Sequence, residues 1–208
     1  MQNISKEEFI RFLIDEGALR FGNFKLKSGL FSPFFINLGD ISSGAALHYV
    51  GSAIAQRVKE DFDGADILYG PPYKGITLVS AAAIAYEQLF HQKIYTCYSR
   101  KEAKTHGEAG MFVGRLPRRE DRVVVVDDVL TTGGTKVEAI RLLEETFDVC
   151  VSGVIVTVDR RIREADSGLG EYALSSVITL PDMIAYLQAK NDEHARLLID
   201  FYEGKYNG

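Results

Sequence analysis

The stretch RVVVVDDVLTTGGTK, Arg122–Lys136, constrains the fold more than any other part of the chain. Four consecutive valines, Val123 to Val126, form a short β-branched apolar run that ends in polar residues, the pattern of a strand buried on both faces of a parallel sheet. Asp127 and Asp128 follow at its carboxyl end, where open α/β sheets place their ligands. Thr131-Thr132-Gly133-Gly134-Thr135 is small, flexible and hydroxyl-bearing. Beyond it Val137, Ile140, Leu142 and Leu143 recur at roughly helical spacing. Glycine lets the backbone come close to a ligand, and the unpaired N–H groups of a helix start attract anions, so this loop can hold a phosphate. Two carboxylates just before it would repel that phosphate unless they engage something else. Ribose hydroxyls and Mg²⁺ suit them, because hard cations prefer oxygen ligands, and the stretch therefore fits a sugar phosphate. A Walker B strand has the same start but requires a GxxxxGK[ST] partner, and the sequence contains none. A plain helix cap accounts for one Asp but not for the loop.

The rest of the chain sets this stretch in an α/β fold. From about residue 44 to 160, helical stripes alternate with apolar strands: helices over Gly44–Asp61 and Ile76–Leu89, strands over Ile67–Tyr69, Ile94–Ser99 and Val149–Val158. This order gives a mostly parallel central sheet flanked by helices. Ser5 and Glu8 form a capping box ahead of an N-terminal helix that ends near Gly17. Residues 24–38 suggest two short strands joined by a turn. Tyr172–Leu180 reads as a last strand, with Pro181 opening a helix. The chain of 208 residues suits one domain, 1–208, with a small hood built from about residues 20–40 and the C-terminal strand.

Composition narrows the function. A formal net charge of −5 gives no global support to nucleic-acid binding. No apolar run approaches the ~18 residues of a membrane span, and no signal peptide is evident; a cytoplasmic enzyme is expected. Cys97 and Cys150 lie in apolar runs without a CxxC and read as buried, reduced thiols. The four histidines lack zinc spacing.

Three further segments carry polar residues that a core does not need. FKLKSGLFSPFFINL holds Lys27 and the pair Phe34-Phe35: either a surface lysine and two core aromatics, or a lid of flat side chains beside a phosphate-seeking cation. ADILYGPPYKG places Lys74 at a helix start, where the dipole disfavours it unless an anion is near. RKEAKTHGEAG concentrates Arg100, Lys101, Lys104 and His106 between a strand end and two glycines, either a solvated hairpin tip or a mobile cationic lid. Gly168–Ala173 fits GxGxxA, but it follows the polar run RRIREADS rather than a strand, so the dinucleotide reading is rejected.

Together these segments resemble the type I phosphoribosyltransferases, and among them the orotate phosphoribosyltransferases. DDVLTTGGT resembles their phosphoribosyl-pyrophosphate (PRPP) signature. FKLKSGLFSPFFINL resembles their hood, GPPYKG the pyrophosphate loop and RKEAKTHGEAG the catalytic loop, while the strand ending in Asp159-Arg160-Arg161 supplies an arginine by the base. The segments cover most of the chain in the right order. Pro72 and Ala109 depart from the family wording, where small residues and glycine are usual.

The resemblance implies a type I phosphoribosyltransferase fold and transfer of phosphoribose from PRPP to orotate. Lys101, Lys104, His106, Asp127 and Asp128 are implied as catalytic. PRPP would be held by Lys27, Tyr73, Lys74, Arg100, Lys101, Lys104, His106, Asp127, Asp128, Val129, Leu130, Thr131, Thr132, Gly133, Gly134 and Thr135. Orotate would lie against Phe34, Phe35, Thr131 and Arg160. Mg²⁺ would be held mainly through PRPP, with Asp127 and Asp128 nearby. A homodimer sharing loop 100–110 between subunits is also implied, with no nucleic-acid or membrane partner. Two alternatives share the central loop: a purine phosphoribosyltransferase, and a non-catalytic PRPP-sensing regulator. The regulator would not need the cationic loop and would usually carry a DNA-binding extension.

Overall fold

The computed structural model describes residues 3–26, 29, 31–102, 110–163 and 165–206. It opens with helix α1 (Lys6–Asp15), closed at its start by the predicted capping box of Ser5 and Glu8. Strands β1 (Leu19–Lys25) and β2 (Phe31–Ile36) form a separate antiparallel hairpin, the hood. Its first strand starts earlier than expected from sequence, because Leu19 is anchored in the core opposite Ile36. Helix α2 spans Gly44–Asp61, as its apolar stripe predicts, and leads through β3 (Ile67–Gly70) to α3 (Lys74–Phe90). Then come β4 (Tyr95–Ser99), β5 (Phe112–Gly114), β6 (Arg122–Leu130), α4 (Gly134–Phe147) and β7 (Cys150–Asp159). The chain closes with β8 (Ala173–Thr179), α5 (Leu180–Ala189) and α6 (His194–Tyr202).

The central sheet has six strands in the order β5-β4-β3-β6-β7-β8. All neighbours are parallel except the short β5, which runs antiparallel to β4 and was not evident from the sequence. The strand order reverses between β3 and β6, so a crevice opens at their carboxyl ends, the usual ligand position in an open α/β sheet.

The valine run sets the layers. Val123 to Val126 have no exposed surface, and each contributes roughly 1.5–3 kcal/mol by burial. Alternate side chains go to opposite faces. Val124 and Val126 join the core beneath α1, α2, α3, α5 and α6, whereas Val123 and Val125 join the core beneath α4.

Two expectations need correction. The sequence places the C-terminal strand in the hood, but β8 pairs with β7 at the edge of the central sheet. β7 is buried along nearly its whole length and needs a partner on that side. The hood rests instead on α6, where Phe34 meets Phe201 edge-on at 5.4 Å and Phe21 stacks on His194 at 4.8 Å. Cys150, expected inside, is exposed at the first position of β7, while Cys97 in mid-β4 is buried.

Candidate active site

The two acids of the central stretch lie within β6, which runs on to Leu130 rather than stopping at Val126. The pleat sends them to opposite faces, and each finds a lysine there. Asp128 shares the face of Val126 and accepts a bond at 2.8 Å from Lys74, the first residue of α3. Asp127 shares the face of Val125 and accepts one at 2.7 Å from Lys136, in the first turn of α4. The second oxygen of each carboxylate accepts the backbone N–H of the following residue, at 2.9 Å for Asp127 and 2.8 Å for Asp128. The hydroxyl of Thr157 on β7 donates to the carbonyl of Asp128. Burial raises the Asp127 carboxyl above the ordinary carboxylate range, Lys136 opposes that rise, and the neighbouring Asp128 charge adds to it.

The Thr/Gly loop joins β6 to α4. Gly133 caps the helix at φ 74°, a left-handed conformation, and no side chain caps the N–H groups of the first turn. A methyl at Gly133 would strike the carbonyl oxygen of Ser167. Gly168 in turn faces the carbonyl of Thr132. The segment that mimics a dinucleotide fingerprint is thus a buttress for this loop. Thr131, Thr132, Gly134 and Thr135 are exposed, while Val129 and Leu130 turn their side chains inward and offer only backbone. A 14-residue helix with an uncapped start and exposed hydroxyls in the preceding loop is suited to an anion.

On the other side of the crevice, Gly70 and Gly75 touch, so neither accepts a side chain and the loop between them is tight. The Pro72–Tyr73 peptide in it is cis. Tyr73 is exposed, and the Lys101 ammonium stands 5.4 Å from its ring centre. Arg100 points to the base of its own loop, donating to the Gly110 carbonyl at 2.9 Å. Lys27, Lys104 and His106 lie outside the described residues.

Arg160 directly follows β7 beside the crevice, its backbone N–H donating to the Leu130 carbonyl at 3.1 Å. Its side chain is buried, 4.6 Å from the Phe34 ring centre and 5.7 Å from that of Phe201, and donates to the Ser32 hydroxyl at 2.9 Å. Among the described residues no acid pairs with it; Asp159 is taken by Arg161 at 2.6 Å. Burial pushes the Arg160 guanidinium down to about 10.

The aromatic pair divides. Phe34 has no exposed surface and serves as a platform under Arg160, not as a face for a planar base. Phe35, next along the pleat, is half-buried against Phe24 at 5.5 Å and is the one of the two with surface to offer. The structure therefore joins Lys74, Asp127, Asp128, the 131–135 loop and Arg160 at one sheet edge. It adds Ser32 and Lys136, which the sequence reading did not single out. Lys136 was legible as the lysine closing TTGGTK; nothing in the sequence marks Ser32 as the partner of an arginine 128 positions away.

A doubly covered parallel sheet with this strand, acid pair and threonine loop at its switch point is the architecture of a type I phosphoribosyltransferase. The comparisons agree. Residues 41–185 match the phosphoribosyl transferase domain family. The chain is 37% identical to the orotate phosphoribosyltransferase of Clostridium beijerinckii, over 96% of this chain and 93% of that one. It is 36% identical to that of Clostridium acetobutylicum, over 94% and 91%. The crystal structure of orotate phosphoribosyltransferase from Francisella tularensis superposes with a TM-score of 0.81 at 28% identity, covering 100% of this chain and 98% of that chain. The chain belongs to the orotate phosphoribosyltransferase family. No helix among the described residues is long and apolar enough to cross a membrane.

Proposed function

We propose that this chain, acting as a single domain, transfers the 5-phosphoribosyl group of PRPP to orotate, giving orotidine 5′-monophosphate and pyrophosphate in pyrimidine synthesis. Beyond family membership, one observation carries the choice of base. Among the described residues Arg160 is a buried cation without a protein counter-charge, lying against two rings. A guanidinium so placed is matched by a planar anion that can accept two bonds. Orotate carries a carboxylate; adenine and guanine do not.

The remaining roles follow from charge. The 131–135 loop takes the 5′-phosphate on backbone N–H groups and threonine hydroxyls. Asp127 and Asp128 orient the ribose hydroxyls. Lys74, with Arg100, Lys101, Lys104 and His106, faces the pyrophosphate, where negative charge grows as the bond to C1′ breaks. A Mg²⁺ ion would be held chiefly by substrate oxygens beside Asp127 and Asp128, the usual manner for this ion. When bound it neutralises charge on the leaving group. Phe35 and Thr131 flank the base. We further propose a cytoplasmic homodimer in which loop 100–110 serves the neighbouring site; mixing wild-type subunits with a loop mutant would then restore activity by complementation.

The test is ultraviolet absorbance of orotate with PRPP, Mg²⁺ and protein. The orotate band should fade only when all four are present, and adenine or hypoxanthine should not substitute in a pyrophosphate-release assay. Persistence of the band with release of pyrophosphate on a purine would overturn the assignment.

A further inference from the structure

Lys136 stands where a lysine is disfavoured twice. It lies in the first turn of α4, facing the positive end of the helix dipole, and only 6% of its surface is exposed. A buried ammonium is costly unless every proton is satisfied. Here all three are. Lys136 donates to Asp127 at 2.7 Å, to the Val129 carbonyl at 2.7 Å and to the Thr135 hydroxyl at 3.4 Å.

In this arrangement the ammonium is directed at the protein rather than at substrate. An ammonium has three donors, and with all of them committed to the protein none remains for a ligand. What the three bonds do is mechanical. Two go to β6 and one to α4, so Lys136 spans the root of the 131–135 loop and holds Asp127 against it. Asp127 keeps its other oxygen on the Asp128 N–H, so its carboxylate is fixed from both sides.

We propose that Lys136 is a positioning residue, an internal brace that sets the Asp127 carboxylate and the threonine loop in register for the ribose-phosphate half of the substrate. This rests on the role given above to Asp127 and the loop. The competing explanation is a buried ion pair that merely stabilises the fold. Such pairs are weak evidence of stability, because removing both partners is often neutral, and the two explanations differ in what kinetics they predict.

The experiment compares wild type, Lys136→Met, Asp127→Asn and the double variant, each checked for folding by circular dichroism. Lys136→Met should lower kcat/KM for PRPP by about 10–100-fold, the usual effect of losing a residue that orients a ligand-contacting group. The KM for orotate should stay within about twofold. In the Asp127→Asn background the same change should cost less than about threefold, because the brace then has no carboxylate to hold. If Lys136→Met does not fold, Lys136→Gln, which keeps two donors without the charge, enters the same cycle. A variant within twofold of wild type for PRPP, losses that simply multiply in the double variant, or an orotate KM that moves as far as that of PRPP would each overturn the brace. Failure of the parent reading is seen separately. It would show as wild-type protein that leaves orotate untouched, while calorimetric PRPP binding to wild type and Lys136→Met still reads the brace.

Discussion

Replacing Arg160 by methionine should separate stability from activity, because the two depend on its charge with opposite sign. The guanidinium is buried against Phe34 and Phe201, and among the described residues only the Ser32 hydroxyl is its side-chain hydrogen-bond partner. Its fall from the ordinary 12.5 to about 10 corresponds to about 3 kcal/mol of unfavourable charge burial. The sign follows from linkage. A base depressed in the folded protein binds its proton less tightly there than in the unfolded chain, so the charge opposes folding at all pH values below about 10, and stability would rise only as pH passes that point. Methionine removes this cost and keeps most of the volume, with a sulfur that packs well on aromatic rings. Against it stand one charged hydrogen bond, worth about 1.5–3 kcal/mol, and the cation–π contacts, about 0.5–2 kcal/mol. Ser32 is not orphaned, since its hydroxyl still donates to the Phe34 carbonyl at 2.7 Å. The net change lies between a loss of about 2 kcal/mol and a gain of about 1 kcal/mol, that is between about 8 °C down and about 4 °C up in Tm for a chain of this size. Orotate turnover should meanwhile fall by at least about 10²-fold, as expected when a charged partner in a buried site is lost. Differential scanning fluorimetry without ligand and the orotate absorbance assay read the two quantities. A Tm lowered by more than ~8 °C along with the activity would show that Arg160 holds the hood together, and the reasoning would fail.

Other outcomes follow from single positions. Gly133→Ala should destabilise by at least about 1–2 kcal/mol, the cost of the left-handed backbone alone, and should weaken PRPP binding. Gly134→Ala, at a helical position with nothing within 4 Å of the added methyl, should stay within about 0.5 kcal/mol of wild type; equal effects at the two sites would contradict the loop geometry. One thiol per native chain should react quickly with a thiolate-selective reagent at pH 8. That thiol is exposed Cys150, because burial pushes Cys97 up to about 12, and the second should appear only on unfolding; two fast thiols refute it. Lys104→Ala should lower kcat by about 10²–10³-fold with a smaller effect on PRPP binding, and near-normal turnover would remove it from the mechanism.

The sequence made the ends of strands legible and the sides of the hood illegible, for a physical reason. Val123–Val126, the acid pair and the threonine loop are contiguous, so local periodicity and glycine placement are enough to predict strand, loop and helix. Helix α2 was bounded correctly because Ser43 caps it and its apolar stripe is continuous. The fate of Phe34 and Phe35 depends on α6, more than 150 residues away, whose Phe201 closes over Phe34; no local pattern says which of two adjacent aromatics faces inward. Placing β8 needed the knowledge that β7 is buried on both faces and lacks a neighbour. Cys150 looked apolar in its run, yet it is the first residue of β7, where the chain has not reached the interior.

Pairing at the sheet edge suggests how the site discriminates among anions. Three acids, Asp127, Asp128 and Asp159, line the carboxyl ends of β6 and β7, and each is matched by one cation: Lys136, Lys74 and Arg161. Of these Lys136 has no donor to spare, and Arg161 grips Asp159 through more than one nitrogen. Lys74 is bonded to a single carboxylate oxygen and is the most exposed of the three. It can therefore turn toward a pyrophosphate while Asp128 turns to a hydroxyl or a metal, an exchange of partners that leaves no charge stranded. Among the described residues Arg160 has no acid with which to make such an exchange. A neutral ring placed against it would leave a buried cation uncompensated, whereas a carboxylate would relieve it, so with Arg160 in the role proposed above selection against purines would arise from the charge they fail to bring.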